Sequence, residues 1–184
     1  MVHFVGAGPG APDLITVRGK QYLEEADVVI YAGSLVNPKL LEYTKDICTI
    51  YNSAKMTLEE VIHVIEKAEA EGKTTVRLHT GDPCIYGAIR EQMDILDEKN
   101  IAYDYCPGVS AFCGAASALN LEYTLPNGQK VKFLDDQKTY LGNQLESEFI
   151  GDRCFGILAS MDFILVCTYE KNGENPELLI YKKR

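Results

Sequence analysis

The sequence has little positive charge and no long hydrophobic run. Its 184 residues contain 18 Lys and Arg against 27 Asp and Glu, a formal net charge of -9. Nonspecific binding to nucleic acid or to an anionic membrane requires clustered Lys and Arg. The first residues, MVHFVG, lack the basic and apolar regions of a signal peptide, and no apolar run has the length of a membrane span. We therefore expect a cytoplasmic protein with neither a nucleic-acid nor a membrane partner.

The sequence also lacks the paired cysteine motifs of zinc sites. No two of its cysteines form a CxxC pair, and its three histidines are scattered without metal-ligand spacing. Because free cysteine behaves as a small apolar side chain, we predict reduced, mostly buried thiols and no metal site. The six cysteines are Cys48, Cys84, Cys106, Cys113, Cys154 and Cys167.

A regular alternation of strand and helix patterns is present instead. The short β-branched and aromatic runs VHFVGAG, DVVIYAG, TTVRLHTG and IAYDYC alternate with segments whose apolar residues recur at helical spacing. Thr57 and Glu60 form a capping box that opens one of these helices, and Gly72 closes it. Such alternation predicts an α/β fold with a mainly parallel sheet that is covered on both faces.

The pattern changes near Pro126. We expect residues 1–126 to form the α/β domain, and residues 127–184, which begin with a polar and weakly patterned stretch, to form a smaller, incomplete second α/β domain. Near the end of the chain, the residues around Asn172 and Gly173 fit either a hairpin or a helix followed by a strand.

Small, glycine-rich loops follow the predicted strands. They read GAGPG, YAGSLV, HTGDPCIYG and CPGVSA. Ligands of parallel sheets bind at the carboxyl ends of the strands, so these loops predict one open trough lined by backbone. A dinucleotide is disfavoured, because Pro9 interrupts the glycine spacing and the second strand ends without an acidic partner for a ribose. For GAGPG alone, a purely structural role as a tight connection stays open.

Together, the stretches VHFVGAGPGAPDLITVRG, ADVVIYAGSLVNP, MTLEEV, VRLHTGDPCIYGAIREQ and PGVSAFCGAASALNLEYTLP resemble the tetrapyrrole methylase family over residues 1–126. The resemblance implies a two-domain α/β homodimer that binds S-adenosylmethionine in a trough between its domains. YAGSLVNP and GDPCIYGAIREQ resemble the branch that methylates C11 of precorrin-4, or of cobalt-precorrin-4, in cobalamin synthesis. The resemblance fades after TLP, so a non-catalytic truncated remnant or binding module is the alternative.

The resemblance also implies site residues. Those expected to contact S-adenosylmethionine are Pro9, Thr80, Gly81, Asp82, Ile85, Ser110 and Ala111. Those expected to contact the tetrapyrrole are Gly8, Tyr31, Tyr86 and Arg90.

The residue types leave alternatives open for some of these positions. Asp82 is either a ligand contact or the cap of its own turn, because Asp is a common turn former. Arg90 is either a bidentate partner for a substrate carboxylate or a solvated helix residue. Tyr31 and Tyr86 either flank a planar ligand or belong to the core. No catalytic residue is assigned, because transfer of an activated methyl group depends mainly on the placement of donor and acceptor.

Overall fold

The computed structural model describes residues 1–85, 87–120, 163–168 and 177–182. A five-stranded sheet in the order β3-β2-β4-β1-β5 forms its centre, and all of its strand pairs are parallel. The strands are β1 (Val2–Gly6), β2 (Val28–Tyr31), β3 (Thr49–Asn52), β4 (Thr75–His79) and β5 (Tyr103–Cys106). The helices are α1 (Val17–Glu25), α2 (Leu58–Ala70), α3 (Arg90–Glu98) and α4 (Ala111–Leu119). The predicted α/β class with a mainly parallel sheet is confirmed.

Local capping determines where the helices begin. Helix α2 opens with the predicted capping box, in which the Thr57 side chain accepts from the backbone N–H of Glu60 and the Glu60 carboxylate accepts from the backbone N–H of Thr57. The residue after its C-cap, Gly72, has φ +67. Helix α1 begins at Val17, because the Thr16 hydroxyl caps it by accepting from Gly19 N at 3.1 Å.

The sheet is covered on both faces by separate apolar clusters. Helices α2 and α3 pack on one face, and helix α1 packs on the other. The first cluster is Val2, Phe4, Val28, Ile30, Val61, Ile62, Ile65, Ala68, Leu96 and Ile101. The second is Val5, Ala7, Leu23, Ala26, Val29, Val36, Leu40, Val76, Leu78 and Cys106. Burial on both faces is what a parallel sheet requires.

The register brings the carboxyl ends of the central strands level with one another. Gly6, the last residue of β1, pairs with His79, the last residue of β4. On the other side of β1, Val5 pairs with Cys106, the last residue of β5. The loops that follow these three strands therefore leave the sheet at one edge and at one height.

Two features differ from the sequence-based expectations. Strand β3 was not predicted, because its residues are largely exposed at the edge of the sheet and carry no alternation of buried and exposed positions. Mostly buried thiols were expected, but of the four cysteines in the described part of the chain only Cys106 is buried. Cys84 and Cys113 are exposed, and Cys48 is partly buried.

The carboxyl-terminal segments form a separate two-stranded antiparallel sheet. Strand β6 (Phe163–Thr168) pairs with β7 (Glu177–Lys182), and Phe163 lies opposite Lys182. This pairing agrees with the hairpin alternative for the end of the chain. The predicted boundary near Pro126 lies outside the described residues, so the division into domains 1–126 and 127–184 stays a prediction. Among the described residues, no helix combines the length and apolar character needed to cross a membrane.

Candidate functional site

Three glycine-rich loops meet at the carboxyl edge of the sheet. A Cβ atom on Gly6 would lie 2.5 Å from the amide nitrogen of Gly108 and 2.6 Å from the carbonyl oxygen of Gly81, closer than real Cβ atoms approach other atoms. A Cβ on Gly108 would in turn lie 2.7 Å from Gly6 Cα. The loops after β1, β4 and β5 therefore touch backbone to backbone at a glycine junction of Gly6, Gly81 and Gly108. Only glycine fits at Gly6 and Gly108, and Gly81 contributes its carbonyl oxygen.

Backbone hydrogen bonds hold the first two loops together. Gly8 N donates to Gly81 O at 3.2 Å, and Gly81 N donates to Gly8 O at 2.9 Å. Ala7 N donates to His79 O at 2.6 Å, which continues the ladder of β1 and β4 past the end of the sheet. The GAGPG and HTGDP loops are thus one connected unit rather than two independent turns.

Helix α4 packs directly on the first loop. A Cβ on Gly114 would lie 2.6 Å from Cγ of Pro9, so the helix approaches the loop only because glycine occupies this position. Ser110 is the N-cap residue of α4 and Ala111 is its first residue, and both are buried at the end of the loop after β5. Gly114 therefore allows helix α4 to pack closely against the GAGPG loop.

Asp82 joins the second loop to the third. Its Oδ1 accepts from the backbone N–H of Cys84 at 2.9 Å and from the Tyr105 hydroxyl. Its Oδ2 accepts from Gly108 N at 3.3 Å. The residue is only 9% exposed. The carboxylate caps its own turn, as one of the two interpretations required, and it also ties β5 and the following loop to the HTGDP turn.

A cavity of about 340 Å³ opens between the ends of β2 and β4. Small and apolar residues form most of its wall: Ala32, Gly33, Leu35, Ala54, Ile85, Gly87 and Ala88. Its polar lining consists of Ser53, Arg77, His79, Thr80 and Gln92. The space is thus apolar along its sides and polar at the face of β4.

Two basic residues lie at the base of this cavity. Arg77 and His79 alternate with the core residues of β4, so both side chains leave the strand on the α2 and α3 face, where the His79 ring lies 6.2 Å from that of Phe4. Burial lowers the pKa of Arg77 to about 10, so the guanidinium is charged at neutral pH. Burial, together with the charge of Arg77, holds the pKa of His79 well below its ordinary value, so this imidazole is neutral.

Most of the site residues expected from the sequence lie in these loops. Gly8, Pro9, Gly81 and Asp82 belong to the connected loops, and Thr80 and Ile85 line the cavity. These positions are brought together by the fold, although their contact with a ligand stays a prediction.

The expected tetrapyrrole contacts are placed less uniformly. Tyr31 packs against the apolar cluster on the α1 side, as a core aromatic does. The Arg90 side chain is 76% exposed and forms an ion pair with Asp94, as a solvated helix residue does. Tyr86 lies outside the described residues. The roles of Tyr31, Tyr86 and Arg90 in substrate binding therefore stay predictions.

Sequence reasoning missed the polar base of the cavity. Arg77 and His79 were assigned only to a strand, and Gln92 only to a helix. A signal was present in TTVRLHTG, because two basic residues alternate in a strand that is expected to be buried on both faces. The described residues contain no cluster of three or more His, Cys, Asp or Glu arranged to hold a metal ion.

This arrangement defines an α/β domain whose candidate site is built from backbone loops at the carboxyl edge of a parallel sheet. Residues 1–161 match the profile of the family described as Tetrapyrrole (Corrin/Porphyrin) Methylases, and the chain belongs to that family of methyltransferases.

Individual relatives agree with this assignment. The chain is 60% identical over 125 residues to a protein named cobalt-precorrin-4 C(11)-methyltransferase from Methanocaldococcus jannaschii, covering 68% of this chain and 48% of that protein. It is 49% identical over 125 residues to the precorrin-4 C(11)-methyltransferase of a Sinorhizobium species, covering 68% of this chain and 49% of the relative. The chain thus spans about half the length of the curated relatives it matches.

Solved structures show the same fold. The X-ray structure titled cobalt precorrin-4 methyltransferase, CbiF, a cobalamin biosynthetic enzyme, matches with a TM-score of 0.71 at 31% identity over 98% of this chain and 84% of that chain. A uroporphyrin-III C-methyltransferase from Thermus thermophilus, complexed with S-adenosylhomocysteine, matches with a TM-score of 0.55 at 29% identity. That match covers 68% of this chain and 50% of the other.

Proposed function

We propose that the protein is an S-adenosylmethionine-dependent methyltransferase that methylates C11 of precorrin-4 or cobalt-precorrin-4 in cobalamin synthesis. The observation that carries the proposal is the 60% identity with the Methanocaldococcus jannaschii relative, whose name states this reaction. The proposal covers both the metal-free and the cobalt-loaded substrate, because the macrocycle itself would hold the metal.

The glycine junction supports the cofactor part of the proposal. S-adenosylmethionine supplies an activated methyl group, so the protein has to place and shield the ligand rather than activate it. The close contacts at the junction hold the loops that carry Gly8, Gly81 and Gly108 against one another, so the backbone groups of these loops keep fixed positions beside a ligand. Pro9, Ser110 and Ala111 lie along the same loops and are the proposed cofactor contacts beside Thr80, Gly81, Asp82 and Ile85.

Asp82 contributes to the proposed site chiefly as a support. Its carboxylate accepts hydrogen bonds from Cys84, Tyr105 and Gly108, and so it fixes the distance between the second and third loops. Because the two loops would border the same ligand, a change at Asp82 is expected to weaken cofactor binding even where Asp82 makes no contact with the cofactor.

Two measurements test the proposal. Isothermal titration calorimetry of the folded protein with S-adenosylhomocysteine is expected to show saturable binding. Incubation with S-adenosylmethionine and cobalt-precorrin-4 is expected to add one methyl group, detected as a mass increase of the tetrapyrrole. Absence of binding by the folded protein would refute the proposal, and binding without methyl transfer would favour the alternative of a binding module.

The family resemblance further leads us to propose a cytoplasmic homodimer. Sedimentation velocity over a micromolar concentration range is expected to give the mass of two chains. A single-chain mass throughout that range would contradict the dimer and leave the methyltransferase proposal intact.

A further inference from the structure

Among the described residues, no opposite charge lies beside the guanidinium of Arg77. The residue is only 6% exposed, and its two hydrogen bonds go to neutral acceptors: Nε donates to Gln92 Oε1 at 2.9 Å and Nη1 donates to Ile30 O at 3.0 Å. Within the described part of the chain, no carboxylate forms an ion pair with this guanidinium. A buried charge without a partner is costly, so the residue is suited to an anion that enters the cavity.

Gln92 holds the guanidinium in place. Its Nε2 donates to Ala88 O at 2.9 Å, which fixes the amide so that its oxygen faces Arg77. A guanidinium has five N–H donors, and only two are used by the described residues. The remaining donors belong to a side chain that lines the cavity.

Two further polar atoms at the base of the cavity are buried and have no partner in the described part of the chain. Among the described residues, His79 Nε2 and Thr80 Oγ1 have no hydrogen-bond partner. Both residues line the cavity next to Arg77. Because buried polar groups are nearly always paired, two such atoms on neighbouring residues indicate that a group other than the described residues pairs with them. The neutral imidazole can carry its proton on Nε2 and donate, as can the threonine hydroxyl.

We propose that Arg77, His79 and Thr80 form a carboxylate-binding subsite at the base of the cavity. One fixed positive charge and two neutral donors match one carboxylate, which accepts hydrogen bonds through two oxygens. Above this base, the walls contributed by Ala54, Ile85 and Ala88 suit a short aliphatic stem. The ligand class is therefore a carboxylate on a short aliphatic arm.

Two molecules could present such a group. One is the tetrapyrrole, whose periphery carries acetate and propionate arms, and this identification rests on the proposed function. The other is the methionyl carboxylate of S-adenosylmethionine. In this proposal the buried Arg77 is the partner for a carboxylate, which is the role that the sequence suggested for the exposed Arg90.

Propionate is the probe, and its neutral isostere propionamide is the control. In the full-length protein labelled with ¹⁵N-histidine, titration with propionate is expected to shift the His79 ring signals in a saturable way, and propionamide is expected not to. His79→Phe identifies the signals against those of His3 and His63. Absence of a saturable shift, or an equal shift with propionamide, would overturn the subsite.

A matched pair of variants on one segment locates the contact. Thr80→Val removes the hydroxyl at the cavity and is expected to weaken propionate binding about tenfold or more, the loss typical of a hydrogen bond to a charged group. Thr75→Val makes the same change at the buried start of β4, away from the cavity, and should leave the affinity unchanged. Equal affinities for propionate in the two folded variants would show that Thr80 is not part of the subsite.

Competition identifies the source of the carboxylate. If saturating S-adenosylhomocysteine abolishes the propionate shift, the cofactor carboxylate occupies the subsite; if the shift persists and the tetrapyrrole abolishes it, a substrate arm does. The outcome is separable from the proposed function. A propionate shift without methyl transfer would refute only the methyltransferase, and methyl transfer without a propionate shift would refute only the subsite.

Discussion

Replacing Gly6 with alanine tests whether the site depends on the close approach of three backbones. The new Cβ would lie 2.5 Å from Gly108 N and 2.6 Å from Gly81 O, whereas real Cβ atoms stay at least 3.0 Å from such neighbours. Both contacts are backbone atoms, so no side-chain rotation can relieve them. The loops after β4 and β5 would each have to move away from β1 by about half an ångström.

The expected cost follows from what that movement strains. Overpacking of a well-packed region costs about 1–3 kcal/mol. The pair of hydrogen bonds between Gly8 and Gly81, at 2.9 and 3.2 Å, would lengthen, and each is worth about 1 kcal/mol. We therefore expect Gly6→Ala to lower the free energy of unfolding by about 2–5 kcal/mol, which corresponds to a fall in Tm of roughly 4–20 °C.

Urea denaturation followed by circular dichroism measures this cost, with Gly72→Ala as the control. Gly72 has φ +67, and no atom lies within 4 Å of the position that a Cβ would take. Alanine there would therefore cost only the left-handed backbone penalty of about 1–2 kcal/mol. If Gly6→Ala unfolds at the same urea concentration as the wild-type protein, the junction does not require glycine and the reasoning fails.

Three further predictions concern single contacts. Tyr105→Phe removes a hydrogen bond to the buried Asp82 carboxylate and should cost about 1.5–3 kcal/mol in urea denaturation; an unchanged midpoint would contradict this. Thr57→Ala removes the cap of α2 and should cost about 1 kcal/mol, a loss that Thr57→Ser should largely avoid. The pKa of His79 is lowered in the folded state, so the unfolded chain takes up a proton first as the pH falls. The contribution of His79 to the free energy of unfolding is therefore complete above its ordinary pKa of 6.5, and below that pH it falls by up to about 1.4 kcal/mol per pH unit. His79→Phe should flatten urea stability between pH 6.5 and 5, and equal slopes in both proteins would disprove the linkage.

The core of the fold was predictable because its signals are local. Four of the five sheet strands carry β-branched or aromatic runs, and the capping box at Thr57 and Glu60 fixes the start of α2 from sequence alone. Strand β3 could not be predicted in this way, because TIYN is short and largely exposed. It is stabilised by pairing with β2, which no local pattern reveals. Strand order is likewise a long-range property, since β1 lies between β4 and β5 rather than beside β2.

The candidate site was only partly predictable. Glycine-rich loops after parallel strands indicate one edge of a sheet, and the structure joins them there. Their contact through Gly6, Gly81 and Gly108 depends on three-dimensional spacing, which is invisible along the chain. The exposed Arg90 was singled out as a carboxylate partner because it follows a loop motif, whereas the buried Arg77 was overlooked because it sits in a strand.

The glycine junction also affects how the protein can be engineered. Since Gly6 and Gly108 leave no room for a side chain against each other and against the carbonyl oxygen of Gly81, a substitution at either has to be accommodated by backbone changes in two other loops. In a chimera with another family member, grafting a single loop would therefore bring together backbones that were shaped for different neighbours. Exchanging the loops after β1, β4 and β5 as a set would preserve their mutual fit, so these three separate stretches of sequence form a single transferable part.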